Sequence, residues 1–172
     1  MSHSANPKIS YAEHCATKVL PLENLLTQIQ KMKKEGATVA TLNGSFDLLH
    51  AGHLEMIYQA SLQADILIVA LNTDRSIQEY KNPSRPIVSL EMRLQMMAAV
   101  GFVDFVTWFD ETDPRQLLAK IAPDVHVNGA EYGENCIEAE IVKAQGGRIH
   151  IVPLVPGLST SALLEKIKRL AL

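Results

Sequence analysis

The 172-residue chain has few of the features that mark several common classes of protein. It contains only two cysteines, Cys15 and Cys136, which are too few and too far apart for a disulfide framework. No apolar run approaches the ~20 residues of a membrane-spanning helix, and residues 1–11 lack the apolar core of a secretory signal. The formal net charge is −3, which supplies no electrostatic reason to bind nucleic acid or an anionic membrane. These absences predict a cytoplasmic protein with neither kind of partner.

Two familiar nucleotide-binding signatures are also missing. Neither the P-loop pattern Gly-x4-Gly-Lys nor the dinucleotide pattern Gly-x-Gly-x-x-Gly occurs in the sequence. There is no internal repeat and no low-complexity tract. Hydrophobic residues make up 47% of the chain, enough for a sizeable core, and the length suits one compact domain. We expect that domain over residues 18–172, with a flexible polar tail over residues 1–17.

Strand and helix patterns alternate along the chain. Short apolar runs typical of buried strands cover residues 37–42, 66–71, 103–108, 123–127 and 148–152. Amphipathic patterns typical of helices cover residues 21–34, 54–63, 89–100, 114–121, 137–145 and a final segment from Ser159. The alternation predicts the α/β fold class, with right-handed βαβ units and one doubly wound parallel sheet carrying helices on both faces.

The most informative stretch is residues 43–53, Asn-Gly-Ser-Phe-Asp-Leu-Leu-His-Ala-Gly-His, where a strand pattern gives way to a helix pattern. Ligands of open α/β sheets bind outside the carboxyl ends of the strands, and a helix start offers N–H groups that suit phosphate. His50 and His53 are spaced so that both can face one pocket, and imidazole can donate to a phosphate oxygen. Gly44 and Gly52 permit a close approach of the backbone. The stretch therefore predicts a phosphate-binding site.

The histidine pair has two other interpretations when it is considered alone. A His-x-x-His pair can ligate a metal, although no third ligand is apparent in the sequence. The two residues could also be structural histidines in a turn. Asp47 could cap that turn or orient one of the histidines. The full string Gly-x-Phe-Asp-x-x-His-x-Gly-His is much more specific than the pair.

The string from Gly44 to His53 resembles the signature of the cytidylyltransferase-like nucleotidyltransferases. These enzymes join a nucleoside monophosphate to a small phosphorylated alcohol or sugar. Within the superfamily, the chain most resembles the adenylyltransferase half of the bifunctional heptose kinase/adenylyltransferases. The resemblance covers about residues 18–170 and continues through residues 65–74, 81–87, 91–93 and 157–161.

The resemblance implies a Rossmann-like fold, often a homodimer, and a specific reaction. AMP would pass from ATP to D-glycero-β-D-manno-heptose 1-phosphate, a small phosphorylated sugar, with release of pyrophosphate and formation of ADP-heptose, a lipopolysaccharide precursor. Mg²⁺ is expected to accompany the triphosphate with few protein ligands. No resident metal site is expected in the protein itself.

The resemblance also implies roles for individual residues. His50 and His53 would hold phosphates and stabilise the transition state, while Lys81 and Arg93 would neutralise the triphosphate and the acceptor. The residues expected to bind the nucleotide are Asn43, Gly44, Ser45, Phe46, Gly52, Asn72, Asp74, Arg85, Gly129, Ser159 and Thr160.

Several of these residues have plainer interpretations. Asp74 could cap the turn after the second strand. Residues 80–89 contain two prolines, which exclude a regular helix, and could form an ordinary charged surface loop instead of a flap over the triphosphate. Ser159 and Thr160 could simply cap the final helix. Arg93 lies in the first turn of its helix, where a cation opposes the helix dipole, and this hints at an anionic partner.

One departure from the pattern concerns the acceptor. Heptose enzymes usually carry a lysine in a Lys-Gly-Gly-Asp-Tyr-like stretch, but this chain has Asn128 there, in Asn-Gly-Ala-Glu-Tyr. One alternative is a glycerol-3-phosphate cytidylyltransferase that uses CTP. The arginine that such enzymes typically place before their Glu-Gly-Ile-Ser-Thr-Thr stretch is absent before Gly157. A further alternative is a regulatory protein that binds a nucleotide without catalysis.

Overall fold

The computed structural model describes residues 9–153 and 157–170. Five strands and eight helices alternate along these residues. In chain order they are α1 (Tyr11–Lys18), α2 (Leu22–Lys34), β1 (Val39–Gly44), α3 (Ala51–Ser61), β2 (Ile66–Asn72), α4 (Asp74–Tyr80), α5 (Leu90–Ala98), β3 (Phe105–Phe109), α6 (Arg115–Ile121), β4 (Val125–Gly129), α7 (Ala139–Ala144), β5 (Arg148–Val152) and α8 (Thr160–Leu170).

The strands form one parallel sheet in the order β3-β2-β1-β4-β5. Strand β1 lies at the centre, with β2 paired along one side and β4 along the other. The chain moves outward from β1 to β3 and then returns to the opposite side with β4. The winding direction therefore reverses between β1 and β4, and the sheet is doubly wound. This confirms the predicted Rossmann-like α/β fold.

Strand β2 explains why helices cover both faces of the sheet. Every one of its residues is buried, and successive side chains point to opposite faces. Leu67, Val69 and Leu71 pack in one cluster with residues of α1, α3 and α5. Ile66, Ile68 and Ala70 pack in the other with residues of α2 and α6. Burial of each large aliphatic side chain contributes roughly 1.5–3 kcal/mol, so this continuous apolar run requires a cover on both faces.

Two strands extend further than the apolar pattern predicts. Strand β1 includes Asn43 and Gly44, and β4 includes Asn128 and Gly129. The ladder continues through them, since Gly44 is in register with Leu71 on β2. Backbone hydrogen bonds rather than side-chain polarity decide where a strand ends. The polar residues at the carboxyl ends are consequently held rigidly in the sheet.

The N-terminal prediction was wrong for residues 11–17, which form most of α1 rather than a flexible tail. Ser10 and Glu13 make a capping box, a pattern worth about 1 kcal/mol that stabilises the start of α1. Cys15 is buried against the core, and the Tyr11 hydroxyl donates to the Gln95 carbonyl of α5 at 3.0 Å. Residues 1–8 of the predicted tail lie outside the described residues.

Helix α4 was also missed. It begins directly after β2, and Thr73 is its N-cap, with the Thr73 side chain accepting from the Ser76 N–H. Asp74 therefore does not cap this helix but lies in its first turn. Across the described ranges, no helix is both long and apolar enough to cross a membrane.

Candidate functional site

A cavity of about 270 Å³ opens at the carboxyl ends of β1 and β4, where the winding direction of the sheet reverses. This is the position at which open α/β sheets bind their ligands. Most of the predicted site residues line it, namely Asn43, Gly44, Ser45, Phe46, His50, Gly52, His53, Lys81, Gly129, Ser159 and Thr160. The other four predicted residues, Asn72, Asp74, Arg85 and Arg93, do not.

A larger groove of about 490 Å³ lies beside α6 and α7. It is lined by residues such as Arg115 and Glu140 and contains none of the predicted site residues. It is lined by no residue of β1 or β4. Topology and residue chemistry therefore favour the smaller cavity as the functional site.

The two histidines lie at the start of α3 with their rings stacked. Their ring centroids are 3.8 Å apart, and the rings are inclined by 21°. His50 is the N-cap residue, and its Nδ1 accepts from the His53 N–H at 3.3 Å. Because Nδ1 of His50 is an acceptor, its neutral ring carries the proton on Nε2. The Nε2–H of His50 is thus left available as a hydrogen-bond donor at a helix N-terminus.

Burial favours the neutral form of both rings. Burial lowers the pKa of His50 below its ordinary value. Burial, together with the neighbouring His50 and Lys81, lowers the pKa of His53 to about 4. The Nδ1 atom of His53 is buried and has no hydrogen-bond partner within the described part of the chain. An anionic ligand would reverse part of this cost, because a nearby negative charge favours the imidazolium.

Gly52 allows the two imidazoles to stack. A Cβ atom at this position would lie 3.1 Å from the His50 ring and 3.1 Å from Cβ of Leu158, which precedes α8. Those contacts are tighter than normal van der Waals packing, and a packed core resists even one added methyl group. The glycine therefore brings the histidine turn and the start of α8 into close contact around the cavity.

Asp47 is the centre of a buried network and is only 1% exposed. Its carboxylate accepts from Arg85 Nε at 2.7 Å and from the backbone N–H groups of Ile87 and Val88 at 2.9 Å. Burial alone would raise the pKa of Asp47, but these donors outweigh it and lower the pKa. The Asp47 carbonyl also accepts from the Thr160 hydroxyl at 3.0 Å. Asp47 thus links residues 80–89 and the start of α8 to the histidine loop, which we define as residues 45–50 between β1 and α3.

That network stabilises a strained loop. Phe46 and Leu48, on either side of Asp47, adopt φ angles of 45° and 54°. Left-handed backbone costs a non-glycine residue roughly 1–2 kcal/mol, and such strain persists only where surrounding contacts hold it. The hydrogen bonds and ion pair of Asp47 provide those contacts.

Arg93 corrects one sequence-based expectation. Its guanidinium is buried, with the residue 2% exposed, and it is occupied by protein acceptors rather than facing the cavity. It donates to the carbonyls of Ser45, Asn72 and Val88 at 2.7–2.9 Å and to Asp74 Oδ1 at 2.7 Å. The anionic partner suggested by its position in α5 is thus a carboxylate of the protein. Arg93 joins the ends of β1 and β2.

Arg85, Asp74 and Asn72 also differ from expectation. Arg85 is paired with Asp47 at 2.6 Å, and Asp74 is paired with Arg93. Neither charge is therefore directed to a triphosphate in this structure. Asn72 donates to the Ser76 hydroxyl at 3.0 Å and lies in a neighbouring compartment. These residues support the loops around the cavity.

Lys81 is the predicted cation that does line the cavity. Its Nζ donates to the Ser45 hydroxyl at 2.9 Å. Burial, with Arg85 and Arg93 nearby, lowers the pKa of Lys81 from its ordinary value. A cation held close to other cations gains most from a bound anion, since the anion relieves that repulsion.

The start of α8 contributes Ser159 and Thr160 to the cavity wall. Ser159 accepts from the Ala162 N–H at 3.1 Å, which is a capping contact. The Thr160 hydroxyl proton is directed to the Asp47 carbonyl. Both hydroxyls therefore have roles within the protein in addition to their place at the cavity.

Two functional candidates were not identified from sequence. Asp47 was considered only as a cap or a histidine partner, and nothing in the pattern signals its contacts with residues 85–88. Glu138 was not considered at all, although it is buried at the N-cap of α7. A charged residue between the apolar Ile137 and Ala139 was the available signal.

No three His, Cys, Asp or Glu side chains are grouped as a metal site within residues 9–153 and 157–170. The carboxylates of Asp47 and Asp74 near the cavity are engaged with arginines. Such a site suits a Mg²⁺ ion that is carried mainly by the oxygens of a bound triphosphate.

Two imidazoles at the cavity where the winding of a doubly wound sheet reverses are typical of a nucleotide-binding α/β protein. Residues 41–161 match the family described as Cytidylyltransferase-like. The chain belongs to this family, and its class of enzyme is nucleotidyltransferase.

Two curated relatives, each called Bifunctional protein HldE, come from Pseudomonas entomophila (strain L48) and Azotobacter vinelandii. They are 44% and 43% identical to this chain over 152 residues, or 88% of its length. The match covers 32% of each relative. The chain therefore spans about a third of the length of these relatives.

Two solved structures share the fold. A lipopolysaccharide core biosynthesis protein from Thermoplasma volcanium has a TM-score of 0.56 at 24% identity, with 69% of this chain and 97% of that chain covered. A pantoate-beta-alanine ligase from Francisella tularensis has a TM-score of 0.60 at 16% identity, covering 87% and 73%. At such identities the likeness supports the fold alone.

Proposed function

We propose that the protein transfers AMP from ATP to D-glycero-β-D-manno-heptose 1-phosphate and so forms ADP-heptose and pyrophosphate. The observation that carries this proposal is the stacked pair of His50 and His53 at the start of α3. The pair lines the cavity at the carboxyl ends of β1 and β4. Lys81 and the start of α8 line the same cavity. The arrangement suits a chain of phosphates held by several donors.

The chemistry follows from the substrates. An oxygen of the sugar phosphate attacks the α-phosphorus of ATP in line, the bond to the β-phosphate bridging oxygen breaks, and pyrophosphate leaves. A phosphate monoester is already a nucleophile at neutral pH, so no general base is needed. Catalysis then rests on positioning and on stabilisation of charge in the transition state.

The residues divide these tasks. Neutral His50 and His53 donate hydrogen bonds to phosphate oxygens, and either can gain a proton as negative charge develops. Lys81 neutralises the triphosphate or the acceptor phosphate. The backbone N–H groups near Ser45 and Phe46 hold the acceptor phosphate. Mg²⁺ bound to the triphosphate would supply further neutralisation of its charge.

The choice of ATP and a heptose rests on local pattern. The stretches at Lys81, residues 84–86, Glu91 and Arg93 resemble those of heptose adenylyltransferases. The relatives are named as bifunctional proteins, and the chain matches about a third of them. We therefore assign to this chain one of the two activities of such a bifunctional protein, the adenylyl transfer.

A matrix of ATP and CTP against heptose 1-phosphate and glycerol 3-phosphate tests the proposal, with pyrophosphate release as the readout. We expect release above background with ATP and heptose 1-phosphate. A clear preference for CTP with glycerol 3-phosphate would replace the proposal by its main alternative. Release with none of the four pairs, in protein that still binds ATP, would favour a regulatory nucleotide-binding role.

One observation weighs against the heptose acceptor. Asn128 stands where heptose enzymes usually carry a lysine, and it donates to Glu138 at 3.3 Å. The acceptor side of the cavity consequently lacks the cation that the heptose pattern would place there.

We also infer that the enzyme works in the cytoplasm, where its nucleotide is made, and that it forms a homodimer. The resemblance to the heptose enzymes implies the homodimer, whereas the composition of the chain predicts the cytoplasmic location. Analytical ultracentrifugation of the purified chain tests the second, and a sedimentation coefficient of a monomer at micromolar concentration would contradict it.

A further inference from the structure

A second compartment of about 260 Å³ adjoins the histidine cavity. The two meet at the carboxyl ends of β1 and β4, because they share as lining residues Asn43, Gly44, Ser45, Lys81, Asn128 and Tyr132. A transferase that joins two substrates needs two adjoining sites. The histidines line only the first compartment, which makes the second a candidate for the acceptor.

The second compartment contains a buried carboxylate. Glu138 is only 5% exposed, and its Oε2 accepts from Asn128 Nδ2 at 3.3 Å. Within the described ranges, no ion pair neutralises it. An ionised carboxylate can accept about four hydrogen bonds, and burial makes each missing donor costly. Glu138 therefore has capacity to accept hydrogen bonds from a ligand.

The charged lining of this compartment consists of two residues of opposite sign, Lys81 and Glu138. Lys81 is joined to Ser45 in the histidine loop, whereas Glu138 belongs to the segment before α7. Burial raises the pKa of the neighbouring Cys136 thiol, and the Glu138 charge adds to this rise. The Glu138 end thus favours neutral hydrogen-bond donors over anions.

We infer that Glu138, held in place by Asn128, accepts hydrogen bonds from hydroxyl groups of the acceptor, while Lys81 binds the acceptor phosphate. The inference rests on the proposed function, because it assigns the acceptor subsite of that reaction. It defines the acceptor class as a polyol or sugar monophosphate. A second phosphate or a carboxylate at the hydroxyl-binding end would meet the charge of Glu138 and be rejected.

Equilibrium binding tests this assignment independently of turnover. Heptose 1-phosphate, inorganic phosphate and ATP are titrated separately into the wild type, Glu138→Gln and Glu140→Gln by calorimetry. The Gln side chain preserves shape and can still accept, but without charge, so sugar-phosphate binding should weaken roughly 10-fold. Binding of inorganic phosphate and ATP should be unchanged.

The control variant makes the same charge change on the same helix. Glu140 is exposed and lines the groove beside α6 rather than the acceptor compartment. Glu140→Gln should bind all three ligands as the wild type does. Unchanged sugar-phosphate binding in Glu138→Gln would overturn the inference, as would equal weakening for inorganic phosphate or for ATP.

A second titration tests whether Glu138 selects against additional negative charge on the acceptor. It compares heptose 1-phosphate with the same sugar carrying an additional phosphate. The wild type should prefer the monophosphate, and Glu138→Gln should reduce that preference roughly 10-fold. An equal preference in both proteins would overturn the selection mechanism.

The pyrophosphate assay separates the two proposals. Sugar-phosphate binding that depends on Glu138 without pyrophosphate release would refute the adenylyl transfer but preserve the subsite. Pyrophosphate release by the wild type, with sugar binding indifferent to Glu138, would refute the subsite alone.

Discussion

The polar residues near the cavity fall into two regions with opposite roles. The cavity face, formed by His50, His53 and Lys81, has donors directed towards a ligand site. The internal network, formed by Asp47 and Arg93 with their partners, uses its charges within the protein. The two regions are interleaved along the sequence, since Asp47 precedes His50 and Arg93 follows Lys81. A basic residue beside a predicted phosphate-binding cavity can therefore be structural.

The physical difference is whether an acceptor is already present. Arg93 finds three carbonyls and the Asp74 carboxylate within 2.9 Å. Lys81 has only the Ser45 hydroxyl as its hydrogen-bond acceptor among the described contacts, and its pKa is lowered by burial and by nearby arginines. A saturated cation stabilises loops, whereas an unsaturated one attracts an anion.

Arg93→Met should produce the largest effect, on stability. It would leave three carbonyls without their donor, and each buried acceptor left unsatisfied costs about 1–3 kcal/mol. The lost ion pair adds less, because the Asp74 side chain is 39% exposed and solvent screens its charge. Chemical denaturation would measure the loss. Arg75→Met is the matched control, because Arg75 makes its ion pairs on the surface. An equal loss in both variants would erase the distinction between the two regions.

His53→Ala should abolish most turnover without unfolding the protein. Loss of a donor to the transition state costs about 2.7–4 kcal/mol, or roughly 10²–10³ in kcat. The buried Nδ1 of His53 has no described partner, so its removal should leave the melting temperature nearly unchanged. Steady-state kinetics and thermal denaturation measure the two quantities. Wild-type turnover by a folded variant would exclude His53 from the cavity-facing machinery.

Acid should weaken the fold through His126, an internal group on β4. His126 is fully buried, its Nδ1 shares a 2.8 Å hydrogen bond with the Thr41 hydroxyl, and burial lowers its pKa to about 4. The unfolded chain therefore binds this proton first as pH falls. The contribution of neutral His126 to the free energy of unfolding is complete above about pH 6.5. It is lost as pH falls towards 4.

The slope associated with His126 approaches about 1.4 kcal/mol per pH unit in that window. Denaturation of the wild type and His126→Asn at several pH values measures it, because Asn can retain a bond to Thr41 but does not titrate. The variant should lose less stability between pH 6.5 and pH 4. Parallel curves would show that His126 does not control the acid sensitivity.

Thr160→Ala should give the smallest effect. It removes the hydrogen bond from the Thr160 hydroxyl to the Asp47 carbonyl, worth about 0.5–1.5 kcal/mol. The binding of ATP and the binding of AMP should weaken to a similar extent if the Thr160 hydroxyl acts by positioning α8. Thr160→Ser should restore the binding of both nucleotides. A loss confined to ATP, measured by calorimetry, would instead place this hydroxyl on the outer phosphates and move Thr160 to the cavity face.

Much of the fold was readable from local pattern. The apolar runs at residues 66–71 and 148–152 predicted β2 and β5 almost to the residue. Helices α1 and α4 were missed because short helices depend on caps and packing rather than on a long amphipathic repeat. Ser10 with Glu13 and Thr73 were the available cap signals.

For the site, sequence alone determined which residues gather at the cavity from β1 and the start of α3, since strand–turn–helix order and the spacing of His50 and His53 are local properties. Only the tertiary structure decided which charges face the ligand. Arg93 reaches Ser45 just after β1, Asn72 at the end of β2 and Asp74 in α4. Asp47 reaches residues 85–88. Hydrogen-bond saturation depends on groups distant in sequence, which no spacing pattern encodes.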